Sequence, residues 1–404
     1  MIRRDYLIVG AGMGGASVCA GIRQFDQKGT ITLVGSESYL PYERPRLIER
    51  CLSRGLLDLD GLGPYDREWF EANTVDLRLG TVVTQFNIER RLAVLSSGQV
   101  VEFRKACLAM GCRARRPTVP GSQLGHVLCL RNLEDALVLR EISESARNIV
   151  VIGGGCVAAA VSARLAQLPG LEVILLHRGK FLWDRFLDPE TGAWLSDYYS
   201  GHGVRMVMGE TLNGFEGRTV LKNVQTKSGL RLAAGAAVLG WGVDLNLGLV
   251  ANTPLSYPHG TPVNEFLESD EKGIYAVGDI AAYPDRIFGG LHRLDQLNGT
   301  LAQGLVAGGN MTAKKRQRFE WTPQRSVQLF DLQLELLGDF SRLPTRVEMT
   351  GSRDAGRFVV RCYQPWGLSG VLLCNESVEE VLKAKKQLVE LPRDLKKQRA
   401  AGFV

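Results

Sequence analysis

Two glycine-rich turns, each between a short apolar strand and a helix, constrain the fold of this 404-residue chain. The first turn, residues 10–15, follows the apolar run 6–9 and precedes a helical stretch and a second strand. The second turn, residues 153–155, has the same surroundings and begins roughly 140 residues later, after the apolar run 148–152. A strand–helix–strand order requires parallel strands joined by a crossover helix. The sequence therefore predicts an α/β fold with two related nucleotide-binding units.

The three glycines of the first turn have separate physical roles. Gly10 permits the tight turn, Gly12 lets the backbone approach a pyrophosphate, and Gly15 lets the helix pack on the strand. The phosphates would lie at the helix N-terminus, where unpaired N–H groups and the helix dipole favour negative charge. Glu37 follows the second strand and is suited to accept hydrogen bonds from ribose hydroxyls. We therefore predict a dinucleotide site formed by these four residues.

The second unit differs at the end of its second strand, where a carboxylate would bind the ribose of NAD. His177 and Arg178 stand there, followed by Lys180. Cations in place of the acid are the pattern that accommodates a 2′-phosphate, so NADPH is favoured over NADH. NAD, or a unit that no longer binds a nucleotide, remains the alternative. The candidate ligands of the nicotinamide nucleotide are Gly153, Gly155, His177 and Arg178.

Composition and charge exclude several other classes of protein. The chain is 45% hydrophobic and 23% charged, which is typical of globular domains and not of disordered or collagen-like chains. No apolar run approaches the roughly 18 residues that a membrane span needs, so no span is expected. A net charge of +6 is too small, by itself, to indicate a nucleic-acid partner. The five histidines lack metal-binding spacing and no GxSxG run occurs, so we predict neither a metal site nor a serine hydrolase.

The cysteines bear on the compartment. All eight are scattered through apolar segments, without the spacing of a disulfide framework or a zinc site. The chain also enters a strand at once, without a charged and apolar leader. We therefore expect a cytoplasmic protein with reduced thiols.

Antiparallel strands are predicted in three stretches outside the two units. Apolar and polar residues alternate over 75–103 and again over 204–231, which is typical of small meanders. From about residue 315 a third domain is expected, with a capping-box pattern at Ser377 and Glu380 that predicts a helix. Its predicted strands are 327–336, 346–350, 357–363 and 367–374.

Further motifs resemble those of the FAD-dependent pyridine nucleotide–disulfide oxidoreductases, and within them the ferredoxin and rubredoxin reductases and the apoptosis-inducing-factor-like flavoproteins. Pro41-Tyr-Glu-Arg44-Pro45 resembles the family segment PYERPPLSK, Ala109-Met-Gly111 resembles the motif ATG, and Gly278-Asp279 ends a predicted buried strand. The resemblance runs from residue 5 to about 311 and is fainter beyond. It implies that Arg44, Gly111 and Asp279 help to hold FAD.

The resemblance also implies the domain organisation. We expect two interleaved Rossmann-like nucleotide-binding domains and a C-terminal α+β domain. FAD would lie on 1–116 and 245–314, and the nicotinamide nucleotide on 117–244. Residues 315–404 would form an interface domain, which in this family helps to build the active site or a homodimer.

The chain departs from the family pattern where hydride would pass from nicotinamide to flavin. The lysine of PPLSK is Glu49, the family's glutamate near the nicotinamide is Ala160, and the segment resembling VEHWDNA has Asp295 for glutamate and Leu297 for tryptophan. Glu49 and Asp295 are the charged residues expected nearest the flavin ring, and thus the candidate catalytic residues. Loss of a cation there weakens stabilisation of anionic reduced flavin. Rapid NAD(P)H oxidation is therefore expected to suffer more than FAD binding.

The resemblance implies an FAD-dependent oxidoreductase that takes hydride from NAD(P)H and passes electrons to a small iron–sulfur or rubredoxin-like protein. Cys107 and Cys112 have the spacing of the family's redox disulfide but lie outside its helix, so no disulfide relay is expected. The alternative is an FAD-holding relay or structural subunit of a larger redox complex with little NAD(P)H turnover. The basic stretches 312–318 and 383–399 are either steering surfaces for an acidic partner or solvated segments.

Overall fold

The computed structural model describes residues 1–52, 61–312 and 316–390. Parts of the two basic stretches, 313–315 and 391–399, lie outside these ranges. The α-helices are α1 (Met13–Arg23), α2 (Arg67–Ala72), α3 (Leu133–Ser145), α4 (Cys156–Leu165), α5 (Pro189–Gly201), α6 (Leu297–Met311) and α7 (Val378–Glu390). None of the helices in the described ranges is long and apolar enough to cross a membrane.

The strands, in chain order, are β1 (Ile2–Val9), β2 (Ile31–Val34), β3 (Val75–Arg78), β4 (Val83–Asn87), β5 (Leu92–Leu95), β6 (Val100–Leu108), β7 (Cys112–Ala114), β8 (Val127–Leu128), β9 (Asn148–Ile152), β10 (Glu172–His177), β11 (Val204–Met208), β12 (Leu212–Gly217), β13 (Leu221–Thr226), β14 (Arg231–Ala233), β15 (Ala236–Leu239), β16 (Val243–Leu245), β17 (Thr261–Pro262), β18 (Ile274–Ala276), β19 (Ala281–Pro284), β20 (Leu291–His292), β21 (Gln324–Leu329), β22 (Leu332–Gly338), β23 (Arg346–Ser352), β24 (Arg357–Gln364) and β25 (Gly367–Cys374). A π-helical turn (Leu47–Cys51) and 3-10 turns (Gly248–Val250 and Gly278–Ile280) complete the helical elements of the described residues. The α/β fold class is confirmed.

The first sheet brings three loops to one edge. β3, β2, β1 and β6 are joined in parallel, and β18 pairs in parallel with the end of β6. Val9 and Ala276, the last residues of their strands, both pair with Leu108 at the end of β6. Because carboxyl ends of parallel strands meet at the same edge of a sheet, the loops after β1, β6 and β18 converge there.

The expected meander over 75–103 is wrong in part. β4, β5 and β6 are antiparallel, but β3 pairs in parallel with β2, where Val75 lies opposite Ile31. Over 204–231 the same difference occurs, since β11 pairs in parallel with β10 and only β12–β14 form an antiparallel sheet. The alternation predicts a half-buried strand but carries no information on the strand's partner or direction.

The second sheet has the order β11-β10-β9-β15-β8 and is parallel throughout. Its strands β9 and β15 are almost wholly buried, as expected where both faces of a parallel sheet are covered. α4 leaves the carboxyl end of β9 through the second glycine turn. The second sheet therefore repeats the arrangement of the first.

The C-terminal sheet is antiparallel, with the order β21-β22-β25-β24-β23. The single strand predicted at 327–336 is two strands, because the chain turns at Phe330, whose φ is +56°. α7 packs on this sheet through Ala384 and Leu388, and the backbone N–H of Glu380 donates to Oγ of Ser377 at 3.3 Å. This sheet lies against the start of α4 through β21.

Glycines bring α1 and α6 into close contact. A β carbon built on Gly304 would lie 2.4 Å from the β carbon of Ser17, and one on Gly308 would lie 2.3 Å from the carbonyl oxygen of Val18. Both distances are too short for any side chain. The methyl group of Thr300, in the first turn of α6, lies beside Gly14 and Gly278. The starts of α1 and α6 and the turn after β18 therefore meet at the edge where the loops converge.

Candidate functional site

The first glycine turn leaves an open space in front of α1. Gly10 has a φ of +114°, and a β carbon there would lie 2.2 Å from the carbonyl oxygen of Ala109. A β carbon on Gly15 would lie 2.0 Å from the carbonyl oxygen of Gly10. A β carbon on Gly12, the residue that caps α1, would meet no protein atom within 4 Å. The turn is therefore packed against protein backbone at Gly10 and Gly15 and has open space at Gly12. This space fits a pyrophosphate at the helix N-terminus.

Glu37 is held beside this turn by two donors. Nη2 of Arg44 lies 2.7 Å from its Oε1, and the hydroxyl of Tyr42 donates to its Oε2. Nη1 of Arg44 also donates to the carbonyl oxygen of Arg131 at 2.5 Å. The Glu37 side chain remains 31% exposed, so it can still accept a hydrogen bond from a ribose hydroxyl.

Asp279 lies on the 3-10 turn that follows β18, across the same edge. Its Oδ2 accepts hydrogen bonds from Nη2 of Arg131 at 2.8 Å and from the thiol of Cys112 at 3.0 Å. Burial, and then the Asp279 charge, raise the pKa of the Cys112 thiol to about 12. Gly111, with a φ of +62°, faces this group, and a β carbon there would lie 3.7 Å from Oδ2 of Asp279. The structure therefore brings Gly111 and Asp279 together.

Two residues of this site were not among the predicted ligands. Arg131 joins Arg44 to Asp279, so a chain of contacts runs from Glu37 across the edge of the sheet. Gln303, fully buried on α6, accepts a hydrogen bond from the backbone N–H of Gly278 at 2.7 Å through its Oε1. Arg131 directly precedes Asn132, the residue that caps α3. Gln303 gave no local signal, because its partner lies 25 positions away.

The second glycine turn has the same construction. Gly153 has a φ of +138°, and a β carbon there would lie 2.5 Å from the carbonyl oxygen of Gly240. A β carbon on Gly155, which caps α4, would meet no protein atom within 4 Å. The start of α4 is thus a second position that can hold phosphates.

His177 lies beneath this turn rather than at its surface. Its ring atoms would be 2.2–2.5 Å from a β carbon on Gly154, and its Nε2 is 3.0 Å from Oδ1 of Asp184. Asp184 was not predicted, since it stands seven positions beyond the strand end. Arg178 and Lys180 are exposed. The cations at the end of β10 that face solvent are therefore these two, and not His177.

The two candidate catalytic residues have different surroundings. Glu49 lies on the π-helical turn and is exposed. Asp295 directly precedes the cap of α6 and forms an ion pair with Arg325, whose Nη2 lies 2.7 and 2.6 Å from its carboxylate oxygens. No contact between Glu49 and Asp295 occurs within the described part of the chain. Ala160 and Leu297 are half-buried, near the starts of α4 and α6.

All eight cysteines fall within the described residues, and all are free thiols. Burial raises the pKa of the Cys107 thiol well above its ordinary value, and Cys112 points to Asp279. In residues 1–52, 61–312 and 316–390 no group of histidine, cysteine and acidic side chains has the arrangement of a metal site.

Comparison with known proteins agrees with this geometry. Residues 4–304 match the family model of the pyridine nucleotide-disulphide oxidoreductases. The chain is 30% identical to rhodocoxin reductase from Rhodococcus erythropolis, over 96% of this chain and 90% of that protein. It is 30% identical to the ferredoxin–NAD(+) reductase subunit of a benzene 1,2-dioxygenase system from Pseudomonas putida, over 69% and 67% of the two chains.

The fold is shared with solved reductases. Putidaredoxin reductase, in its covalent complex with putidaredoxin, superposes with a TM-score of 0.90 over 99% of both chains at 26% identity. A ferredoxin reductase from Rhodopseudomonas palustris gives a TM-score of 0.87 at 27% identity, over 98% of this chain and 99% of that one. With two Rossmann-like units and a family match over more than half of its length, the chain belongs to the pyridine nucleotide-disulphide oxidoreductase family and is an oxidoreductase of the FAD- and NAD(P)H-dependent kind, as its motifs predicted.

Proposed function

We propose that this protein takes hydride from a nicotinamide nucleotide and passes electrons singly to a small ferredoxin- or rubredoxin-like protein. The observation that carries the proposal is the pair of open helix starts, α1 at Gly12 and α4 at Gly155. Each stands at the carboxyl edge of its own parallel sheet, where dinucleotides bind. Two dinucleotide sites in one chain are what a reductase with a flavin and a nicotinamide donor requires.

The residues of the first unit would hold FAD through their shape, charge and hydrogen bonds. Gly10, Gly12 and Gly15 would shape the position of the pyrophosphate. The Glu37 carboxylate would accept hydrogen bonds from the hydroxyl groups of a ribose. Asp279, oriented by Arg131, would accept hydrogen bonds from hydroxyl groups just after the end of β18. Bound FAD supplies the ability to accept an electron pair as hydride and to release electrons one at a time. The protein contributes position, exclusion of water and charge.

The names of similar proteins support the class of partner. The matched relatives include a rubredoxin-NAD(+) reductase and ferredoxin reductases of dioxygenase systems, and one matched structure is a complex with putidaredoxin. We therefore infer a small redox protein as electron acceptor. The free thiols support a reducing, cytoplasmic compartment, and size-exclusion chromatography tests whether the C-terminal domain forms a homodimer.

NADPH is our proposed donor, on the strength of the exposed Arg178 and Lys180. Some matched relatives are named as NAD(+) reductases, so both donors must be measured. Replacing Arg178 by glutamate puts a negative charge at the proposed 2′-phosphate position. We expect the KM for NADPH to rise at least tenfold, with a small change for NADH and unchanged FAD content. An unchanged KM for NADPH would overturn this assignment.

Glu49 is proposed to slow flavin reduction by placing a negative charge where related proteins carry lysine. Its exposed side chain allows a charge reversal without loss of a buried contact. Replacing Glu49 by lysine is expected to speed flavin reduction severalfold in anaerobic stopped-flow measurements, because a cation stabilises anionic reduced flavin. Glu68→Lys, at an exposed residue of α2, is the matched charge control. A slower or unaltered rate in Glu49→Lys would contradict this role.

The proposed function is tested by the visible spectrum of the purified protein under anaerobic conditions, recorded before and after NADPH and then NADH. A flavin band that bleaches within seconds supports the reductase, and the faster donor decides between the two nucleotides. A band that persists with both donors but bleaches with dithionite would contradict it. That outcome would favour the relay subunit, to which the departures at Glu49, Ala160 and Leu297 also point.

A further inference from the structure

One guanidinium reaches both nucleotide-binding units. Arg325 lies on β21 of the C-terminal sheet, and its Nη2 is 2.7 and 2.6 Å from the two carboxylate oxygens of Asp295. Its Nη1 is 3.4 Å from Sγ of Cys156. Asp295 precedes the cap of α6, whereas Cys156 is the first residue of α4 and follows Gly155. Arg325 therefore connects the starts of the two helices.

The surroundings of Arg325 hold it in place. Its side chain is only 24% exposed and lies over the ring of Phe186, 6.0 Å from the ring centroid. Burial lowers the pKa of the guanidinium, but Cys156 and Asp295 more than offset this effect and raise it overall. A second contact runs beside the first, since the backbone N–H of Gln324 donates to Oε1 of Gln296 at 2.7 Å. The start of β21 is thus fastened to α6 at two adjacent residues.

The side chain must be arginine for this geometry. A planar guanidinium can direct one nitrogen to a carboxylate and another to a second partner, whereas the ammonium group of lysine is a single point of contact. Arg325 stands outside every motif recognised in the sequence, and the proposed cofactor contacts do not use it.

The distance between α4 and α6 matters because each start lies beside one proposed nucleotide site. Hydride transfer needs reacting atoms about 3–3.5 Å apart, and a displacement of about 1 Å can cost roughly a hundredfold in rate. Resting on the proposed function, we propose that Arg325 is a positioning residue, which fixes the separation of the two nucleotide-binding units for hydride transfer through its contacts with Asp295 and Cys156.

The test replaces Arg325 by methionine in the FAD-containing protein. At saturating nucleotide, the rate of flavin reduction is expected to fall ten- to a hundredfold, with less than a threefold change in KM. Arg325→Lys, which keeps the charge opposite Asp295, should recover an intermediate rate. Arg346→Met is the matched control, since Arg346 lies at the far edge of the same sheet and pairs with Glu348 on its own strand.

A second measurement needs no turnover. Arg325 lowers the pKa of the Cys156 thiol, against the larger opposing effect of burial. In Arg325→Met, the pH midpoint for alkylation of Cys156, followed by peptide mass spectrometry, should therefore shift upward, and in Arg346→Met it should not. If Arg325→Met fails to fold, Arg325→Lys provides the same rate comparison, with a reduced effect.

The outcomes separate the two proposals. A wild-type protein whose flavin is reduced by neither nucleotide contradicts the proposed function and the positioning role with it. If the wild type is reduced but Arg325→Met reacts at the same rate, only the positioning role is overturned. An unshifted midpoint for Cys156 alkylation would overturn the contact on which that role depends.

Discussion

Replacing Gly12 by alanine is expected to remove FAD from the protein while leaving its fold intact. A β carbon at this position meets no protein atom within 4 Å, so the apoprotein has room for it. The same space is where the pyrophosphate would approach the start of α1. We expect the affinity for FAD to fall about a hundredfold, a loss of about 2.8 kcal/mol at 1.4 kcal/mol per factor of ten. The flavin absorbance of the purified protein and a titration with FAD measure it.

Two neighbouring glycines provide the comparison. A β carbon at Gly10 or Gly15 would lie 2.2 or 2.0 Å from a carbonyl oxygen of the protein itself. Alanine at either position should therefore destabilise the apoprotein as well as remove FAD, whereas Gly12→Ala should change the free energy of unfolding by no more than about 1 kcal/mol, the scale of a helix-cap effect. Full FAD content in Gly12→Ala would contradict the proposed position of the pyrophosphate.

The second large effect is expected at Gly154, in the other glycine turn. A β carbon there would lie 2.2–2.5 Å from three atoms of the His177 ring. The ring is buried and held by Asp184, so it cannot move aside freely. We expect Gly154→Ala to cost about 1–3 kcal/mol of stability through overpacking. It should also weaken NADP+ binding at least tenfold by displacing the turn, as measured by calorimetry.

Removing the His177 ring should restore part of the stability that Gly154→Ala loses. The double variant Gly154→Ala with His177→Ala is expected to be more stable than the two single effects predict, by about 1–2 kcal/mol, because contacting residues couple. Gly153→Ala should show no such rescue by His177→Ala, since its obstacle is the carbonyl oxygen of Gly240. Additive effects at Gly154 and His177 in urea unfolding would contradict this packing.

The parts of the fold that depend on residues close together in the sequence could be predicted from the sequence. The strand, turn and helix around Gly10 form a local unit, and the φ of +114° at Gly10 is what a glycine at that turn permits. The direction of β3 could not be predicted, because the alternation of apolar and polar residues from Val75 onward does not indicate which strand β3 pairs with. In the structure β3 pairs in parallel with β2.

The candidate site could likewise be predicted only where it depends on residues close together in the sequence. Backbone roles, such as those of Gly12 and Gly155, could be inferred from the motif alone. Side-chain partners could not, because Arg325 and Asp295 are 30 positions apart, one on β21 and the other just before the cap of α6. The predicted contact of His177 with nucleotide was based on its place at a strand end. The direction of its side chain depends on Asp184, which a local pattern does not reveal.

The pairing of β18 with β6 has a consequence for the order in which this protein can be assembled during synthesis. The second sheet draws its strands from 127–239, whereas the first sheet is completed only by β18 at 274–276 and is covered by α6, which ends at residue 311. Contacts that close such long loops are slow to form. In pulse proteolysis of nascent chains, the second nucleotide-binding unit, whose strands lie in 127–239, should therefore become protected before the first unit. The first unit, which is proposed to hold the flavin, is therefore completed only after the residues of the second unit have been synthesised.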